Sequence, residues 1–171
     1  MALTLPEKAR KFAVRAHGDQ KYGVFPYSVH LDAVAALAKS FGPVCEAVAF
    51  LHDVVEDTST QPSEILGVFG SDVASAVYFL TDPEGVNRRE RKEKLHRRLA
   101  GLDPKGKTAR YASLVLIVKA CDRLANLREC SKGNPGLFKM YAREHKAFRD
   151  TAYRPGLCDE IWTEIDSLMG A

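Results

Sequence analysis

An all-α fold in a single domain is what this sequence predicts, on three observations. Apolar residues recur at helical spacing in nearly every segment, with almost no strand-type alternation. The breaks between segments fall at proline and glycine, where helices start and stop. A chain of 171 residues is long enough for one well-buried core and short for two.

The first helix is announced by Thr4 and Glu7, a capping box, with Phe12, Ala13 and Ala16 on one face. Pro26 is expected to open the second, with a stripe of Val29, Ala33, Val34 and Leu37 closed by Gly42. Pro43 opens the third, which carries Val44, Ala47, Val48, Leu51 and Val55; so short a link makes the two antiparallel neighbours. Shorter helices are expected over Ser63–Phe69, ended by Gly70, and over Ser71–Leu80, with Ser71 as N-cap. The turn Asp82–Gly85 (DPEG) leads to a basic helix capped by Asn87. A long helix is read over Thr108–Cys130 from Leu114, Val118, Cys121 and Ala125; LVLIV alone also fits a buried strand, and the continuation through Asp122 decides for helix. Two more carry Phe138, Tyr141, His145 and Phe148, then Leu157, Ile161, Ile165 and Leu168. No internal repeat, low-complexity tract or long linker divides the chain, so residues 1–171 read as one domain.

Composition excludes several classes. Hydrophobic residues at 46% and charged residues at 27% are globular values, not those of a disordered or fibrous chain. The longest purely apolar run, Leu114–Val118, is far short of the roughly 20 residues a membrane helix requires. The start, MALTLPEKARKF, has no apolar signal region, so a cytoplasmic protein is expected. The four cysteines (Cys45, Cys121, Cys130, Cys158) are widely spaced with no C-x-x-C pair and are read as buried thiols without chemistry. A net charge of +3 is mild, but Arg88–Arg98 (RRERKEKLHRR) holds seven Lys or Arg against two Glu.

The stretch LHDVVEDT, residues 51–58, packs a histidine and three carboxylates into an otherwise apolar segment. On a continuous helix His52 lies under Glu56 and Asp53 under Asp57, and His52 shares the stripe of Val48 and Leu51. Charges turned toward a core are costly and like charges repel, and a divalent cation offsets both effects. His30 on the second helix and Asp122 four residues after Val118 show the same anomaly. Singly, His30 also reads as a hydrogen-bonded core histidine and Asp122 as an ion pair with Arg123 or Arg128. With His52 and Asp53 they form a mixed N/O donor set that suits Mn, Fe or Zn better than Ca and leaves positions open.

The pattern H…HD…D with HDVVEDT resembles the HD-domain metal-dependent phosphohydrolases. The approach Ala16, His17, Gln20, Pro26, Tyr27, His30, the ERK at Glu90–Lys92, and DRLANLR at Asp122–Arg128 sharpen it. Together they resemble the hydrolase domain of the RelA/SpoT family and its small stand-alone alarmone hydrolases of the Mesh type, over about Ala16 to Arg128. The resemblance implies an HD-type helical bundle with one Mn²⁺ on His30, His52, Asp53 and Asp122. It makes Glu56 and Asp57 the catalytic acidic pair and Asn126 a substrate contact. The reaction implied is hydrolysis of (p)ppGpp to GDP or GTP and pyrophosphate. So anionic a substrate requires cations, for which Lys21, Arg88 and Lys92 are candidates. Tyr141 is read as a core aromatic, and His17 and His96 as structural or solvated. Two departures stand out: Lys21-Tyr22 replaces an Arg-Lys pair ahead of a shortened path to Pro26, and Leu31 rather than Pro follows His30. Competing readings are a phosphohydrolase of another nucleotide (a pppApp-type alarmone, or the 2′-phosphate of NADPH), a nucleic-acid-binding helical domain using Arg88–Arg98, and an inactive ligand-binding module. The expected partner is a small nucleotide, with neither nucleic acid nor membrane; the oligomeric state is left open.

Overall fold

The computed structural model describes residues 2–170. It is helical almost throughout. Helix α1 (Leu5–His17) starts at the expected capping box: Thr4 N–H donates to the Glu7 carboxylate at 2.8 Å, and Glu7 N–H to Thr4 Oγ1 at 3.4 Å. A hairpin follows, β1 (Lys21–Tyr22) antiparallel to β2 (Phe25–Pro26), with Tyr22 opposite Phe25. Strands of two residues are too short to show alternation and leave no periodic mark. Gly23 in the turn has φ +62°, a conformation that favours glycine.

Pro26 therefore lies in a strand, and α2 (Ser28–Ala38) begins two residues later than expected. Its buried face is also rotated from the expected stripe: His30, Leu31, Val34, Ala35 and Ala38 are buried, whereas Val29 and Ala33 are exposed. The rotation follows from packing on two sides, against α3 (Pro43–Leu51) and α8 (Ala109–Gly133). A short 3-10 turn (Lys39–Phe41) and Gly42 at φ +100° join α2 to α3.

The third helix does not run on through Val55. It ends at Leu51, and α4 (Val54–Asp57) restarts one step later, with His52 and Asp53 in the break. Then come α5 (Pro62–Phe69), α6 (Ser71–Leu80), α7 (Arg88–Ala100), α9 (Pro135–Ala152) and α10 (Asp159–Met169). Ser71 is inside α6 rather than its cap; Gly70 holds the cap position. Asn87 caps α7 as expected, accepting from Glu90 N–H at 3.0 Å.

The long helix forms as read and is the axis of the fold. It packs against α2, α3, α6, α9 and α10, so Val115, Leu116, Val118, Leu124 and Leu127 are buried around its whole circumference. That all-round burial is why LVLIV looked like a buried strand. Each such side chain contributes about 1.5–3 kcal/mol of burial. One apolar cluster runs from Ala9 through to Ile165.

Candidate metal centre

Two buried histidines face each other across the α2–α3 contact: His30 is 3% exposed and His52 1%, with their Nε2 atoms 3.3 Å apart. Asp53 Oδ2 stands 3.0 Å from His52 Nε2 and 3.7 Å from His30 Nε2. Asp122, from the middle of α8, puts Oδ1 3.3 Å from His30 Nε2 and 3.7 Å from His52 Nε2. Three stretches of the chain thus meet here: His30, His52 and Asp53 offer ligand atoms that all lie within 4.8 Å of one another, and Asp122 approaches the imidazole pair from α8. Neither arginine expected to pair with Asp122 does so among the described residues: Arg128 binds Glu164 at 2.6 Å, and Arg123 approaches Glu144.

The break between α3 and α4 aims these groups. His52 Nδ1 lies 2.7 Å from Ala49 O, so Nδ1–H donates there and Nε2 is left to face the cluster. Asp53, at φ −103° and ψ −3°, swings its carboxylate beside the same nitrogen.

These residues fit a divalent cation. A donor-to-metal distance of about 2.0–2.2 Å separates neighbouring donors by roughly 3.0–3.5 Å, and the spacings here run from 3.0 to 3.7 Å. Two imidazoles and two carboxylates form the N/O set that borderline divalent metals take. Burial by itself would raise the Asp122 carboxyl, but the two histidines and Lys119 outweigh it and hold the pKa well below the usual range. Burial opposes the charge on His52, yet Asp53 and Asp122 raise its pKa well above normal. So acidic a cradle around two imidazoles favours a cation at its centre.

A second layer holds the ligands. Tyr27 O–H donates to Asp53 Oδ2 at 2.5 Å; burial and the neighbouring carboxylate push its pKa far up, so it remains a donor. Asn126 Nδ2 donates to Asp122 Oδ1 at 2.6 Å, and its Oδ1 accepts from Tyr22 O–H at 2.8 Å. Both ends of that amide are engaged, so Asn126 orients Asp122, and it also lines the cavity beside it. Tyr22 also stacks on His30, ring centroids 4.7 Å apart. The hairpin that the sequence concealed thus delivers Tyr22 to the site.

Glu56 and Asp57 sit on α4 beside the cluster, both solvent-exposed. Glu56 Oε2 accepts from Asp82 N–H at 2.8 Å. Burial of its carboxyl end raises its pKa, as do Asp82 and Asp53, against that hydrogen bond and Lys119. Asp57 Oδ2 accepts from Gln20 Nε2 at 3.0 Å.

The cations are distributed differently from expectation. Arg88 is paired with Glu144 through Nε–H at 3.0 Å and Nη2–H at 3.1 Å, and Lys92 with Asp82 at 2.7 Å. Both line a cavity of about 80 Å³ with Lys119, Asp122, Arg123, Asn126 and Tyr141. Tyr141 therefore faces this cavity, with the Arg123 guanidinium 4.5 Å from its ring, rather than serving only as a core aromatic. Lys21 is exposed on β1 and makes no hydrogen bond or ion pair among the described residues. Elsewhere on α7, Arg89 pairs with Glu93, Lys94 with Glu90, and Arg98 donates to Tyr78 O and Thr81 O. Most of the basic run is thus neutralised within the chain.

Lys119 was missed. Its Nζ lies 3.8 Å from Asp122 Oδ2 and 3.4 Å from Leu80 O. Burial works against its charge, but Asp122, Asp82, Asp53 and Glu56 raise its pKa all the same. A lysine interrupting LVLIVKACD three residues before Asp122 was the available signal.

Among the described residues no helix is long and apolar enough to cross a membrane. An HD-domain family model matches residues 9–148. A probable guanosine-3′,5′-bis(diphosphate) 3′-pyrophosphohydrolase of Synechocystis is 34% identical over 92% of this chain, which spans only 21% of that protein. The guanosine-3′,5′-bis(diphosphate) 3′-pyrophosphohydrolase MESH1 of Danio rerio is 30% identical over 72% of this chain and 68% of its own length. A solved metazoan ortholog of SpoT, described as hydrolysing ppGpp, superposes with TM-score 0.81 at 21% identity, covering 99% of this chain and 96% of that one. At that identity the structural match speaks for the fold, while the sequence matches carry the relationship: the chain belongs to the HD-domain family, in the branch that holds the MESH1 proteins.

Proposed function

We propose that this chain is a metal-dependent hydrolase that removes the 3′-diphosphate of guanosine 3′,5′-bis(diphosphate) or its pentaphosphate, releasing pyrophosphate, with Mn²⁺ as the ion. The observation that carries this reading is the approach of His30, His52, Asp53 and Asp122 to one another beside the acidic pair of α4. The names of the Synechocystis and Danio rerio relatives support the substrate. A divalent cation in this cradle supplies a Lewis acid that activates water and polarises phosphoryl oxygens.

The four ligands hold that ion, and Tyr27 and Asn126 fix the carboxylates that do so. Glu56, its pKa raised, accepts a proton from the attacking water at Oε1, the oxygen left free by the Asp82 N–H bond. Asp57, the next residue of α4, orients that water. Lys92 and Lys119 face the cavity next to Asp122 and offset the charge of the diphosphate, with Arg88 at its edge. Lys21, free on the exposed hairpin, is placed to meet a phosphate arriving from solvent.

The test is anion-exchange analysis of ppGpp, pppGpp, pppApp and NADPH after incubation with protein and Mn²⁺, with and without EDTA. Pyrophosphate from the two guanosine compounds, abolished by EDTA, is the expected result. Turnover of only pppApp or NADPH would move the substrate, and full turnover in metal-free buffer would overturn the mechanism.

A further inference from the structure

The geometry points to Gln20 as the positioning residue for Asp57, its amide locked in orientation by His17. This rests on the catalytic reading of Asp57 above and adds a residue to it. Gln20 bridges two groups: its Nε2 is 3.0 Å from Asp57 Oδ2, and its Oε1 is 2.8 Å from His17 Nδ1.

The direction of this chain is set by chemistry. An ionised carboxylate only accepts, so the amide nitrogen must face Asp57. The amide oxygen then faces His17, which must donate from Nδ1. His17 is buried and its Nε2 has no hydrogen-bond partner among the described residues. Nδ1 therefore carries the hydrogen that Gln20 Oε1 accepts, and Nε2 takes no part in the bridge.

Every other part of Gln20 is pinned. Its backbone N–H donates to His17 O at 3.0 Å, and its carbonyl accepts from Tyr27 N–H at 2.9 Å. The His17 ring stacks on Tyr27 at 4.4 Å between centroids, 21° from parallel, and Tyr27 O–H holds Asp53. One stacked pair thus steadies Asp53 through Tyr27 and Asp57 through Gln20. Among the described residues Asp57 has no other side-chain hydrogen-bond partner, so without Gln20 its exposed carboxylate is free to sample other rotamers.

Three variants test this. Gln20→Ala removes the bridge, and Gln20→Glu keeps its shape while setting a carboxylate against Asp57. A misplacement of about 1 Å at a reacting group costs up to roughly 10²-fold, so kcat is expected to fall 10- to 100-fold in both, with KM and Mn²⁺ affinity by calorimetry little changed. A space-filling role predicts instead that Glu restores activity, which would overturn the proposal. In the Asp57→Ala background, Gln20→Ala should cause no further loss in kcat; a second, additive loss would also refute it. The crystal structure of Gln20→Ala needs no substrate: the Asp57 carboxylate should leave its present place, and finding it unmoved overturns the proposal even if ppGpp is not the substrate. A parent enzyme that turns over none of the nucleotides would count against the proposed reaction and leave this structural outcome to decide on Gln20.

Discussion

Replacing Glu56 with Gln separates chemistry from binding in the proposed reaction. The side chain keeps its shape, and its amide oxygen can still accept from Asp82 N–H, the 2.8 Å bond that now fixes the carboxylate. What disappears is the charge and the capacity to take a proton. Because burial, with Asp82 and Asp53, already disfavours that charge, its removal should not weaken the fold. Glu56 is also outside the four-residue donor set, so bound Mn²⁺ measured by atomic absorption should stay at the parent level. General-base catalysis contributes roughly 10²–10⁴-fold, and kcat should fall by that factor with KM nearly unchanged. In transition-state terms this is about 2.7–5.4 kcal/mol. A melting curve excludes unfolding as the cause. A kcat within about threefold of the parent, well short of a general-base effect, with metal still bound, would make Glu56 a structural carboxylate and refute the assignment.

Asp53→Asn should lose metal and activity together, read by calorimetry and turnover, because the carboxylate 3.0 Å from His52 Nε2 supplies both a donor and half the compensating charge. Tyr27→Phe removes only the hydroxyl that donates to Asp53, and a loss of outer-layer support of this kind typically weakens metal affinity by about 10- to 100-fold. Lys119→Met tests the pH dependence. The lysine's charge lowers the Glu56 pKa, so without it that pKa rises further. Since the base works ionised, the acid limb of the pH–kcat profile should move to higher pH than in the parent, whose own limb should already lie above the ordinary 4.5 of a glutamate.

Much of this protein was legible in one dimension because helices and caps are local. Thr4–Glu7 and Asn87 cap as read, the Pro43 start and the Gly70 stop hold, and α8 forms through Asp122. The candidate donors stood out for another reason: His30, His52, Asp53 and Asp122 are polar groups on faces that must otherwise be apolar, and burial makes such exceptions costly enough to need an explanation. What local pattern did not carry was direction. Which face of α2 turns inward depends on two helices, one of them some eighty positions away, and that rotation buries Leu31 while exposing Val29 and Ala33. The break at His52-Asp53 leaves no mark in the hydrophobic period, yet it decides that Asp53 meets His52 and not the turn above. Charge was the least readable quantity. Arg88 and Lys92 looked like free cations, but their partners Glu144 and Asp82 come from other elements, and Lys119 acquires its place only when α8 brings it against the carboxylates of α4 and the α6–α7 loop. Sequence fixes which groups are present and which are anomalous; an electrostatic role depends on distances of 3–4 Å between residues far apart in the chain, and only the packed fold sets those.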